Sequence, residues 1–283
     1  MNFITVSATA IDAPQTKEIN RISYTTCNIK IAKPLFGKSY SDVFAYLEVW
    51  GKNASLLSGV SEGQEMLIIN GELTINYDKE RGVNIIKIKA KSVAPYFTGP
   101  GWTPINDVIL TGRTFTEFDP TDPKQRNYRS TASGWVFAEQ RLAVQNKGLD
   151  KYPDIYTFKT VYNTNAEYRG TNYADLIANL LNRKQVPVSI KGSLINEESK
   201  NPNTDEIRHY PKILLADKNA LTVFELKSNP SQNVKPQEPK VQSTSKVIAN
   251  NPWKDTEQLQ SLAPDPTPIP AVATAPDTSE DPF

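Results

Sequence analysis

The stretch FAYLEVWGK, starting at Phe44, sets three aromatic rings on one side of a single extended segment. Side chains alternate faces along a strand, so Phe44, Tyr46, Glu48 and Trp50 share one face and Ala45, Leu47 and Val49 the other. A small barrel is filled by compact aliphatic side chains, which points the second set inward. Glu48 argues the same way, because a buried, unpaired carboxylate costs several kcal/mol. The three rings are then left outside, and a row of exposed aromatics marks an interaction surface. Further along, IIKIKAK alternates Ile86, Ile88 and Ala90 with Lys87, Lys89 and Lys91, a basic stripe with no acid among it. Before it, NYDKERG offers Tyr77, Lys79 and Arg81 at what reads as a long hairpin tip. Rings can stack on flat π-systems and ammonium groups can neutralise phosphates. Together they are what sequence-tolerant binding of a single nucleic-acid strand requires. For any one lysine alone, a solvated face is an equally good reading; the coincidence with exposed rings favours the joint one.

A second aromatic set lies in IYTFKTVY. Tyr156, Phe158, Thr160 and Tyr162 fall on one face, and Thr157, Lys159 and Val161 on the other. Analogy with the first set puts Tyr156, Phe158 and Tyr162 outside. Lys159 would then point inward, where it makes a poor core residue, so which face is buried stays open.

These residues need strands to hold them. Alternating apolar and polar residues recur in FITVSATAI, SYTTCNIKI, VFAYLEVW, MLIINGELTI and NIIKIKAKSV, with turn residues between them. YFTGPGWTP then breaks the pattern with Gly99, Pro100 and Gly101 in a row. Alternation resumes in DVILTGRTF, SGWVFAEQRLAV, DIYTFKTVY, VPVSIKGSLI and YPKILLAD. The halves repeat weakly. VWGKNASLL lies against VYNTNAEYR, pairing Trp50 with Tyr162. GQEMLIINGEL lies against KQVPVSIKGSL, pairing Gly71 with Gly192 and Leu73 with Leu194. The offset grows between the two blocks, where YADLIANLL (173–181) has helical spacing of Leu176, Ile177, Leu180 and Leu181. Five strands with a helix after the third is the layout of the OB-fold, a five-stranded Greek-key barrel. The expected fold class is therefore mainly β, with two tandem OB-folds and a disordered C-terminal tail.

The tail shows in the composition. Ten of the 21 prolines lie in the last 55 residues, a segment without periodicity. It carries four lysines against seven acids in a chain of net charge +1, which leaves a mildly basic body. Such asymmetry suits a body that binds a polyanion, and it suits chance variation in surface charge equally well. The expected organisation is a first OB-fold over 1–98, a linker over 99–104 and a second OB-fold over 105–227. A Pro-rich linker over 228–277 and a C-terminal tip over 278–283 follow. One cysteine, Cys27, allows no internal disulfide, and with one histidine, His209, a zinc site is not expected. No P-loop, no nucleophile–His–acid set and no metal cluster is evident, so neither an enzyme nor a cofactor is expected. No run of about 18 apolar residues occurs, so a membrane span is not expected, and the missing signal-peptide layout together with the lone cysteine favours a cytoplasmic protein.

WGKNA followed by EGQEMLIINGEL resembles the bacterial single-stranded DNA-binding protein (SSB) family, in which aromatic-Gly-Lys precedes a helix and a Gly-x-Leu strand. DVILTGRTFTEFDP resembles the family's opening strand, and NAEY keeps its Ala-Glu. The resemblance implies binding of single-stranded DNA (ssDNA) in replication, recombination and repair. It places stacking rings at Phe44, Trp50 and Tyr77, and at Tyr156 and Tyr162 in the second fold, with Lys52 on a phosphate. The first fold departs from the pattern at Ser55, where the family has glutamate, and the second at YNTN. Two folds per chain imply a homodimer presenting four. The chain ends TSEDPF, and SSB tails end in an acidic tip closing on Pro-Phe. Glu280, Asp281, Pro282 and Phe283 are accordingly expected to dock replication and repair proteins. Asp281 replaces the usual aliphatic residue. The competing readings are an OB-fold for RNA or oligosaccharide and an interaction scaffold whose rings meet protein.

Overall fold

A computed structural model of the chain describes residues 1–34, 40–96, 103–145, 152–165, 171–200, 205–215 and 219–224. The linker and tip expected at 228–283, and most of the linker at 99–104, lie outside the described residues.

Barrel 1 comprises β1 (Asn2–Ala10), β2 (Gln15–Ile19), β3 (Ile22–Ile31), β4 (Val43–Trp50), β5 (Glu65–Asp78), β6 (Val83–Ala90) and β7 (Ser92–Pro95). Barrel 2 comprises β8 (Asn106–Thr114), β9 (Tyr128–Ser130), β10 (Trp135–Val144), β11 (Asp154–Asn163), β12 (Pro187–Lys200), β13 (Ile207–Leu215) and β14 (Leu221–Val223). In barrel 1 the closed circuit is β1–β3–β4–β6–β5 and back to β1, with β4 and β6 parallel. In barrel 2 it is β8–β10–β11–β13–β12 and back to β8, with β11 and β13 parallel. This is the expected tandem OB-fold.

The third strand of each closed circuit, β4 and β11, is followed in sequence by a short helix. In barrel 2 this is α1 (Tyr173–Leu180), whose N-cap Asn172 accepts from Asp175 N at 3.3 Å. In barrel 1 it is a 3-10 helix over Gly51–Leu57, entered at Gly51 with a φ of +64° that suits glycine. The turn ends β4 just past Trp50 and holds that ring at the strand's edge.

The interiors are as the alternation requires. Val43, Ala45, Leu47 and Val49 of β4 are buried, as are Ile86, Ile88 and Ala90 of β6. Each fully buried Val, Leu or Ile contributes roughly 1.5–3 kcal/mol. In barrel 2 the filling includes Tyr156 and Phe158, 1% and 0% exposed.

The barrels join through their first strands. β1 gives Asn2–Val6 to an antiparallel ladder with β8, centred on Ile4 opposite Val108, and Ala8–Ala10 to β3 of its own barrel. β8 does the reciprocal, and the pairing of Asn2 with Leu110 mirrors that of Val6 with Asn106. Two asparagines exploit this local two-fold. Asn2 accepts from Leu73 N (3.1 Å) and donates to Leu73 O (2.6 Å). Asn106 accepts from Leu194 N (2.8 Å) and donates to Leu194 O (3.0 Å). Each amide then crosses to the other barrel, Asn2 to the Tyr156 hydroxyl (2.9 Å) and Asn106 to Ala32 O (3.0 Å). Leu73 and Leu194 are the pair matched in the sequence repeat.

Candidate nucleic-acid interface

The outer face of β3, β4 and β6 in barrel 1 gathers the aromatic and basic residues. Strand register does the work: Tyr24 lies opposite Trp50, Tyr46 beside Lys87, and Glu48 beside Lys89. Tyr24 and Trp50 stack, with centroids 4.6 Å apart and planes 14° from parallel. Lys89 Nζ sits 5.5 Å from the Trp50 ring and Lys87 Nζ 5.9 Å from the Tyr46 ring. At exposed sites such contacts are worth about 0.5–1 kcal/mol. Glu48 accepts from Trp50 Nε1 at 3.1 Å and approaches Lys87 at 3.9 Å, steadying both. Phe44, at 56% exposed, extends the row. A third lysine of the stripe, Lys91, lies 5.8 Å from the Phe3 ring.

The predicted residues divide into groups. Phe44, Tyr46, Trp50, Lys87 and Lys89 come together on this face, with exposed Lys52 two residues past Trp50. Tyr77, Lys79 and Arg81 are exposed at the β5–β6 hairpin end, where Arg81 lies 3.7 Å from Asp78. Tyr77 pairs with Asn84, so it leaves the hairpin on the face opposite Lys87 and Lys89. Asn84 Nδ2 in turn donates to His209 O at 2.9 Å, which turns that face toward barrel 2. Tyr24 was not singled out from sequence. Its place in SYTTCNIKI, on the side of Lys30 and away from buried Cys27, was the available signal.

The second aromatic set requires a correction. Tyr156 and Phe158 are interior residues, and Tyr162, half-buried, leaves β11 on their side. The cause is register. Leu47 pairs with Cys27 and Ile88, while Phe158 pairs with Gln140 and Ile213, so Leu47 and Phe158 hold equivalent places. Trp50 therefore corresponds to Val161 and not to Tyr162. A one-residue slip exchanges the two faces of a strand.

Lys159 then points out of the barrel, yet it is only 5% exposed. It pairs with Glu197, which also meets Lys212 at 2.6 Å, and Lys212 meets Glu139 at 2.6 Å. Burial alone would raise the Glu197 carboxyl, but Lys212 and Lys159 outweigh it and hold it below its ordinary range. Burial likewise opposes the Lys212 charge, and Glu139 and Glu197 reverse the effect, raising it. Tyr40 covers the cluster, with Lys159 Nζ 5.6 Å from its ring, and its hydroxyl is pushed up by burial and then by Glu197 and Glu139. Among the described residues, no group of three His, Cys, Asp or Glu is placed to hold a metal ion.

The single-stranded DNA binding protein from Thermus aquaticus aligns over 86% of this chain and 97% of its own, at 16% identity and a TM-score of 0.53. A deletion mutant of that protein aligns over 84% and 98%, with the same identity and score. The two chains share a fold. Coverage of nearly the whole Thermus chain means that the likeness takes in both barrels and their order. No family model matches the present sequence, and no curated protein matches it significantly.

Proposed function

We propose that this protein binds single-stranded DNA without catalysis and with little sequence preference. The observation that carries the reading is the Tyr24–Trp50 stack with Lys89 at the Trp50 ring, continued by Tyr46 with Lys87 at its ring, on the outer face of barrel 1. Bases of any identity can stack there, at about 1–3 kcal/mol each, while the lysines meet phosphates. The shared fold with a protein described as binding single-stranded DNA supports it. Phe44, Tyr46 and Lys52 extend the track, with Lys79 and Arg81 at the hairpin end.

Titration of tryptophan fluorescence with oligo(dT) tests this, with oligo(U) as competitor. Quenching is expected, with an affinity that falls with salt at a slope of roughly −0.7 per phosphate neutralised. Phe44→Ala with Trp50→Ala lowers affinity by roughly 5- to 150-fold for each base that loses its platform. An unchanged Kd for that variant refutes the site, and preference for oligo(U) moves the reading to RNA.

We extend the proposal to a homodimer presenting four barrels, acting in replication, recombination and repair within the nucleoid. Glu280, Asp281, Pro282 and Phe283 serve as the docking tip for proteins of those pathways. The sequence of the tip supports this part, and deletion of Phe283 in a pull-down tests it: unchanged partner capture counts against it.

A further inference from the structure

Barrel 2 has the same outer sheet over β10, β11 and β13, and its chemistry is closed. By strand register, Tyr24 corresponds to Phe137, Trp50 to Val161, Glu48 to Lys159 and Lys87 to Lys212. The stacked pair is therefore missing its second ring. Phe137 is taken up by the chain's own cations, with Arg129 4.8 Å and Lys159 5.7 Å from its centroid. Lys89 corresponds to Leu214, and the one lysine kept at a phosphate-meeting place, Lys212, is spent with Lys159 on Glu139 and Glu197; the two lysines are 7% and 5% exposed. Barrel 1 reaches over this cluster. Ser41 N donates to Asn196 O at 3.1 Å, Asn196 Nδ2 to Asp42 O at 3.3 Å, and the Tyr40 ring covers Lys159. Asp42 is itself anchored by Lys30 at 2.7 Å and Lys33 at 3.2 Å.

We infer that this face of barrel 2 is a seat for Tyr40, Ser41 and Asp42 of barrel 1, so that each chain offers one ssDNA platform and not two. The second half rests on the ssDNA reading; the seat does not. Two lysines against two glutamates leave the cluster no net charge to attract a polyanion. Opening it exposes four groups that satisfy one another, a desolvated set whose partners are costly to separate. DNA therefore follows the outer face of barrel 1, and barrel 2 holds Tyr40, Ser41 and Asp42, which lead into β4.

Lysine acylation of the full-length chain, read by mass spectrometry with and without oligo(dT), tests both halves. Lys87 and Lys89 are expected to react readily and to be protected several-fold by oligo(dT). Lys159 and Lys212 are expected to react at least ten-fold more slowly, with no response to DNA. Tyr40→Ala speeds labelling of Lys159 while circular dichroism stays native. Rapid labelling of Lys159 and Lys212 in the wild type overturns the seat. Protection of either by oligo(dT) overturns the single platform. If oligo(dT) protects no lysine, the ssDNA reading falls and the one-platform conclusion falls with it. The seat then stands or falls on the slow labelling and the Tyr40→Ala response.

Discussion

Replacing Asn106 by alanine should be among the most damaging single polar substitutions in this protein. Asn106 is 4% exposed, and its amide holds both main-chain groups of Leu194 as well as Ala32 O. Alanine leaves the Leu194 N–H without its partner in a buried setting, at about 1–3 kcal/mol. The two carbonyls also lose their donor, which brings the expected cost to about 2–4 kcal/mol. At roughly 2–4 °C per kcal/mol for a body of this size, the melting temperature falls by about 4–16 °C. The equivalent Asn2 is only half-buried, so water replaces part of what is lost, and Asn2→Ala should cost about half as much. Asn106→Asp keeps the acceptor for Leu194 N–H but sets a carboxylate against two carbonyls. Its deficit should shrink as pH falls and the acid is protonated. Calorimetry on the three variants decides the matter. An Asn106→Ala cost below about 0.5 kcal/mol, as at an ordinary surface site, or one no larger than that of Asn2→Ala, refutes the reasoning.

Cys27 is buried, and burial together with Asp12 pushes its thiol up to about 11. Alkylation at pH 8 should be at least a hundred-fold slower in the native chain than in urea, and comparable rates would contradict this. The raised value favours the protonated thiol in the fold, so its stabilising effect is whole below about pH 9 and is withdrawn toward about 11. At the acid end, Glu197 is held low against burial by Lys212 and Lys159, and Asp42 is held low chiefly by its hydrogen bond to Lys30. Both stabilise the fold above the ordinary carboxylate range, and that is lost as pH falls below this range through their lowered values. The drop in melting temperature below about pH 4 should be shallower in Glu197→Gln. A Cβ on Gly192 would lie 2.4 Å from Leu214 O, whereas Gly59 has nothing within 4 Å. Gly192→Ala should cost more than about 2 kcal/mol and Gly59→Ala less than about 0.5 kcal/mol, read by urea denaturation.

The first barrel was legible because β4 and β6 obey a period of two, and one buried carboxylate or lysine would have broken either pattern. The second was legible in its elements but not in its faces. The match of Trp50 with Tyr162 relied on Asn165 and Ala166, beyond the strand's end. There β11 runs two residues past the equivalent of Trp50, to Asn163, while β4 stops at Trp50 itself. Lys159 carried the warning, since it suits neither a core nor, with Glu139, Glu197 and Lys212 on other strands, a local reading. Asn2 and Asn106 gave no sign at all. An asparagine beginning a strand suggests a turn, and the backbones they hold lie 71 and 88 residues away.

The ladder between β1 and β8 joins two similar barrels inside one chain. Contact between separate copies weakens on dilution; here the connecting segment keeps the second barrel at a local concentration that dilution cannot alter. The arrangement also separates the fates of the two halves. In a pair of identical chains, a lysine placed at the position of Glu48 would appear on both faces and spoil both. In this chain Glu48 and Lys159 are separate residues, so a lysine can occupy the place in one barrel and leave the other unchanged. One barrel presents an aromatic surface while the corresponding face of the other seats Tyr40, Ser41 and Asp42.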